Sequence, residues 1–124
     1  MIILENMNGS KTTPSLVGIS EDDEVTVGEQ AKSMRTVICD IKKMIGRNFD
    51  DEDISEHRRS WDFAVTRGDE GQCVFNADGN KPLDAVDATA KVFEHMKSLV
   101  EKHCGRPLPD LKAVITVPAF YRKE

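Results

Sequence analysis

Residues 113–117, AVITV, carry no charge between Lys112 and Pro118 and read as a strand buried on both faces. Such a strand needs neighbours for its backbone N–H and C=O groups on both sides. Whether the rest of the chain can supply them decides what this sequence is able to fold into.

The other strand-like pieces are short. Ile2 to Leu4 form a brief apolar run, and NMNGS then turns the chain through an Asn-Gly pair. TTPSLVGI (12–19) reads as a strand entered through Pro14, a residue that suits a strand start or an edge. SEDDE is a polar turn, and Val25 to Val27 form another strand. Trp61–Thr66 and Gln72–Asn76 are two more, joined by RGDEG and followed by the Asp-Gly turn of ADGN (77–80).

Three segments have helical character. Val37, Ile38, Ile41, Met44 and Ile45 make one stripe, which predicts a helix over Thr36–Arg47 with Thr36 as N-cap and Gly46 as stop. FDDEDISEHRRS (49–60) places acids first and bases last, the order that complements a helix dipole. The longest helix is predicted over 84–104. Ala85, Thr89, Val92, Phe93, Met96, Leu99, Val100 and His103 share one face there, and Gly105 and Pro107 end it. Short strands with segregated helices give an α+β class.

The bulk properties narrow the functions open to it. With 124 residues there is room for one domain and a single core. A formal charge of −5 argues against general nucleic-acid or membrane binding. No apolar run approaches the roughly eighteen residues of a membrane helix, and the N-terminus lacks the basic region of a secretory signal. Cys39, Cys73 and Cys104 are odd in number and widely spaced, which suits a reducing compartment and gives neither a disulfide framework nor zinc spacing.

Few residues offer chemistry. His103 and Cys104 are adjacent, so on a helix they point about 100° apart and do not share a ligand. His103 lies in the apolar stripe and is predicted to be a core histidine, whereas His57 and His95 are predicted to face solvent. No cysteine has a base and a low-pKa setting beside it. The acidic runs 21–24 and 50–56 lack the ligand spacing and central Gly of a calcium loop, and no phosphate-cradling glycine motif occurs. The strongest candidate is Lys42 in DIKKMIGR (40–47). On the predicted helix it sits at the margin of the apolar stripe, where an ammonium reaches past packed surface, while Lys43 lies in water. Simple snorkelling of Lys42 over apolar neighbours explains the same spacing.

Taken together, ILENMNGSKTTPSLVGI, VGEQAK, IKKMIGRNFDD, WDF, AKVFEHMKSLVEKHCGRPL and AVITVPAFY resemble, in order, the nucleotide-binding domain of the seventy-kilodalton heat-shock chaperones of the DnaK type. The resemblance spans nearly the whole chain, and LEN is closer to the bacterial and mitochondrial branch. It implies part of the first lobe of an actin-like ATPase fold. Residues 1–14 would hold a core-sheet strand, 15–108 an inserted α+β subdomain, and 109–124 a further core strand and a divergent tail. By the family pattern Lys42 is the catalytic and nucleotide-contacting lysine, reaching the γ-phosphate and attacking water. Pro118 matches a proline of the switch between lobes and substrate-binding domain, and no residue is assigned to metal.

The same resemblance implies ATP and Mg as cofactors of the parent family, and ATP-dependent protein folding as its function. Implied partners are nucleotide-exchange and J-domain co-chaperones and unfolded client proteins, in the cytoplasm or the mitochondrial matrix. Departures accompany the matches. The Gly-Thr-Thr phosphate loop expected ahead of Met1 and the second phosphate loop expected beyond Glu124 are not in this sequence. The chain is shorter than the family ahead of Thr36, and Phe120-Tyr121 reverses the usual aromatic order.

In the implied sheet, the strands at 2–4 and 113–117 are separated by two others, a gap on the order of 14 Å. Both are then unpaired edges, an aggregation hazard unless another chain or a collapse covers them. On this reading the chain is a fragment to which no cofactor is expected to bind tightly, and it does not turn ATP over alone. Two rival readings are a non-enzymatic module that binds nucleotide-exchange co-chaperones and a free-standing α+β domain that has lost the chemistry.

Overall fold

The computed structural model describes residues 1–76 and 81–121. The turn predicted at 77–80 lies outside the described residues. Every helix and strand among them falls between Val17 and Cys104.

The first sheet is antiparallel, in the order β2 (Val25–Val27), β1 (Val17–Ile19), β3 (Thr36–Ile38). β1 pairs with both neighbours along its whole length, Val17 facing Val27 on one side and Ile38 on the other. The β1–β2 turn is built by Ser20, whose hydroxyl accepts the Asp22 and Glu24 amides while its own amide bonds the Glu24 carbonyl. The acidic run 21–24 is therefore a hairpin turn.

β3 corrects the sequence reading, which placed Thr36–Ile38 at the start of a twelve-residue helix. Thr36, Val37 and Ile38 are all β-branched, and a free strand edge on β1 outweighs their weak helix propensity. Only Ile41–Met44 (α1) is helical, with Gly46 in the left-handed region (φ 71°) ending the turn as expected. α2 (Glu52–His57) continues as a 3-10 turn through Ser60, within the predicted segment.

The second sheet has the order β4 (Val65–Arg67), β5 (Cys73–Phe75), β6 (Leu83–Asp84) and is also antiparallel. β5 lies within its predicted span. β4 begins four residues later than expected, because Trp61 is buried and hydrogen-bonded through its side chain instead of laddered. β6, a two-residue strand, was not anticipated.

α3 (Ala85–Cys104) matches the predicted long helix. Asp84 and Asp87 form a reciprocal capping box, at 2.8 and 3.4 Å, and Gly105 (φ 70°) closes the other end as predicted. Its first half packs on both sheets and on α1. Near its C-terminal end the His103 side chain is exposed, which overturns its core placement. His57 and His95, predicted to face solvent, are half-buried.

One core joins these pieces. Val17, Ile19, Ile38, Ile41, Met44, Ile54, Trp61, Cys73, Phe75, Ala85 and Ala88 form a continuous cluster. Among the described residues the two segments expected as core strands are not in strand form. Ile2–Leu4 and Ala113–Val117 form no ladder, and among the described residues no backbone hydrogen bond is made by 113–117. Val114 is 98% exposed. Among the described residues no strand lies beside either segment, so no ladder offsets the entropy of ordering them into a sheet.

Candidate functional site

The candidate site is the turn 40–47, and its form follows from four residues. Ile41 and Met44, three apart, point into the core and are buried. Lys42 and Lys43 occupy the outward side and are both exposed. A four-residue helix has too few hydrogen bonds to persist alone. Much of its stability comes from the two buried side chains, packed toward α3.

Asp40 begins the turn in the left-handed conformation, φ 55° and ψ 25°. Its carbonyl accepts the Lys43 amide at 2.8 Å, and the Ile45 amide bonds the Ile41 carbonyl at 3.1 Å. The Asp40 carboxylate caps none of the helix amides. It accepts the Trp61 indole N–H at 3.0 Å and pairs with the Lys43 ammonium at 3.3 Å. The Trp61 bond and, behind it, Lys43 hold the Asp40 carboxyl below the usual carboxylate range, against the opposing effect of burial.

Trp61 belongs to an aromatic row. It stacks on Phe63 with centroids 5.3 Å apart and on His57 at 6.2 Å, and Phe63 meets Phe75 edge-on at 5.7 Å. Beside the row, the Arg58 guanidinium lies 3.9 Å above the Phe49 ring. Arg47 pairs with Asp53 at 3.4 Å, and Asp51 accepts the Asn48 amide. Much of the acidic run 50–56 is thus occupied in holding the end of the turn and the start of α2.

Lys42 has no ion-pair or hydrogen-bond partner among the described residues, unlike Lys43. Its ammonium is exposed on a backbone fixed from below, the arrangement of a cation available to an anionic ligand. Pro118 is half-buried in the C-terminal segment, where its carbonyl accepts the Tyr121 amide at 3.1 Å. Among the described residues no hydrogen bond joins Pro118 to Lys42. An open groove of about 530 Å³ lies elsewhere, between Met7, β2 and the Lys91–His95 stretch of α3.

Sequence reasoning missed Asp40 and Trp61. The available signals were an aspartate immediately ahead of the turn and a lone tryptophan between Ser60 and Asp62. The three cysteines are unpaired, and burial pushes the Cys39 and Cys73 thiols up, away from thiolate.

Compared with known families, residues 1–124 match the model of one described as Hsp70 protein, over the entire sequence. The chain belongs to the Hsp70 family. The Hsp70 match is consistent with a partial nucleotide-binding domain of a chaperone, in a family that uses ATP and magnesium and works with co-chaperones and client proteins. The mixed α and β architecture with small sheets is compatible with that origin. No helix among the described residues is long and apolar enough to cross a membrane.

The two Hsp70 cofactors make different demands on the residues at this turn. An unpartnered lysine ammonium suits a phosphate oxygen as a point charge. Among the described residues no group of three His, Cys, Asp or Glu side chains is placed to hold a metal ion. No step is therefore assigned to magnesium on this chain.

Proposed function

We propose that residues 15–108 form the inserted subdomain of lobe I in an Hsp70 nucleotide-binding domain of actin-like ATPase fold. Residues 1–14 and 109–124 contribute core strands that pair only with other parts of such a domain. Lys42 supplies the cation at the γ-phosphate and attacking water, and Pro118, with its φ fixed by the ring, is the pivot between nucleotide site and substrate-binding domain.

The observation that carries this reading is the state of Lys42: exposed and without a partner among the described residues, on a turn anchored by buried Ile41 and Met44. In phosphoryl transfer, charge spreads over the equatorial oxygens, and a positioned cation stabilises it without reorganising. A pre-fixed lysine does this best when no carboxylate of its own chain competes for it. The parent's activity is ATP-dependent protein folding. Its proposed partners are J-domain and nucleotide-exchange co-chaperones and unfolded clients.

One lysine does not replace phosphate loops and a metal site, so the 124-residue chain alone does not hydrolyse ATP on this reading. The test is phosphate release by the purified chain beside its Lys42→Ala variant. Both should match the protein-free rate. Turnover by the chain that disappears in Lys42→Ala would sink the claim that this is a partial domain.

A further inference from the structure

We propose that Asp40 is a positioning residue for Lys42: its carboxylate, bonded to the Trp61 indole, fixes the turn on which Lys42 stands. The consequence for phosphoryl transfer rests on the Lys42 reading above, while the positioning itself does not.

Asp40 combines two unusual features. It is one of two non-glycine residues with positive φ among those described, a conformation that L side chains avoid. Standing at a helix N-cap, its carboxylate would ordinarily accept an amide of the first turn, and here it accepts none. It is spent instead on a partner twenty-one residues away, the Trp61 N–H at 3.0 Å.

Both ends of that bond are fixed. Trp61 is 9% exposed and stacked between His57 and Phe63, with Phe63 braced edge-on by fully buried Phe75. At the other end, the Asp40 carbonyl holds the Lys43 amide and so sets the direction of the helical turn. Asp40 is two residues from Lys42, and a change in its φ and ψ redirects that turn. The Lys43 ion pair adds little, because the Lys43 side chain is 43% exposed. The acceptor stays ionised at neutral pH, which makes the indole bond charge-assisted.

Hydrogen exchange of the 124-residue chain tests this, read at the Lys43, Ile45 and Arg47 amides, which bond within the turn. Asp40→Gly keeps the left-handed backbone free of strain but removes the acceptor. Trp61→Phe keeps a stacked ring but removes the donor. Each should speed those three amides by roughly ten- to a hundredfold, the value of a hydrogen bond to a charged group, while β1 and β5 amides stay near wild type. Asp40→Asn tolerates the left-handed region and keeps an oxygen acceptor, so it should restore most of the protection. Wild-type protection in Asp40→Gly would overturn the proposal, since backbone conformation alone would then suffice. Uniform acceleration of β1, β5 and the turn in both Asp40→Gly and Trp61→Phe would also overturn it, as the bond would then serve the whole fold. Neither readout involves nucleotide, so a failure here is separate from a failure of the catalytic role of Lys42.

Discussion

Met44 is the anchor whose removal should be felt most directly at the Lys42 turn. It is 1% exposed and belongs to the continuous core, so Met44→Ala deletes three buried heavy atoms from a packed site. Lost transfer energy comes to roughly 2 kcal/mol at ordinary values per buried methylene-sized group. The unfilled space adds about 1–2 kcal/mol, for a total near 3–4 kcal/mol. That is a large part of the roughly 5–15 kcal/mol by which a domain is stable. Urea unfolding followed by the fluorescence of the single tryptophan reads the loss. With a slope of about 1–3 kcal/mol per molar, the midpoint should fall by one to a few molar. Met44→Leu conserves volume and should cost under about 1.5 kcal/mol. Val86→Ala, at a side chain 61% exposed on α3, should cost about 0.5 kcal/mol or less. Equal midpoints for Met44→Ala and Val86→Ala would refute the view that α1 is held by its buried face.

Three further outcomes follow from the same structure. Thiol labelling at neutral pH should modify exposed Cys104 first and buried Cys73 last, with Cys39 between them; prior reaction of Cys73 would contradict the burial described. Because the Asp40 carboxyl is depressed in the folded state, its contribution is complete above the unfolded carboxylate value of about 4 and is lost as pH falls through the lower folded value. Asp40→Asn should therefore flatten the decline of the urea midpoint below about pH 4, and an unchanged decline would count against the Trp61 bond. The uncharged stretch 113–117, with Val114, Ile115 and Val117 exposed and its backbone unpaired, should drive concentration-dependent association. Ile115→Lys should reduce that association in sedimentation velocity, and identical distributions would show that the segment is not responsible.

Much of the fold was legible because its strongest signals are local. The 84–104 helix carries an Asp at its start, a Gly at its end and an amphipathic stripe between, and local chemistry alone sets those limits. The hairpins around SEDDE and RGDEG were likewise read from turn residues. Thr36–Ile38 failed because the stripe it shares with Ile41 and Met44 is equally a strand followed by a turn. Pairing with β1, invisible in the segment itself, decides between them. His103 failed for a similar reason: a helix stripe says which residues share a face, and only tertiary packing says how far along the helix that face is covered. At the site, Lys42 was singled out by the family resemblance, since spacing alone is equally explained by snorkelling over apolar neighbours. Asp40 and Trp61 are twenty-one residues apart, and no periodicity links them.

The central claim is that Lys42 acts at the γ-phosphate of an Hsp70 nucleotide-binding domain. Its most direct test places residues 15–108 in the corresponding segment of an active family member and compares single-turnover ATP hydrolysis with and without Lys42→Ala. Bound nucleotide should be retained in both proteins, with the hydrolysis rate about a hundredfold or more lower in the variant. Hydrolysis at an undiminished rate in Lys42→Ala would contradict the assignment.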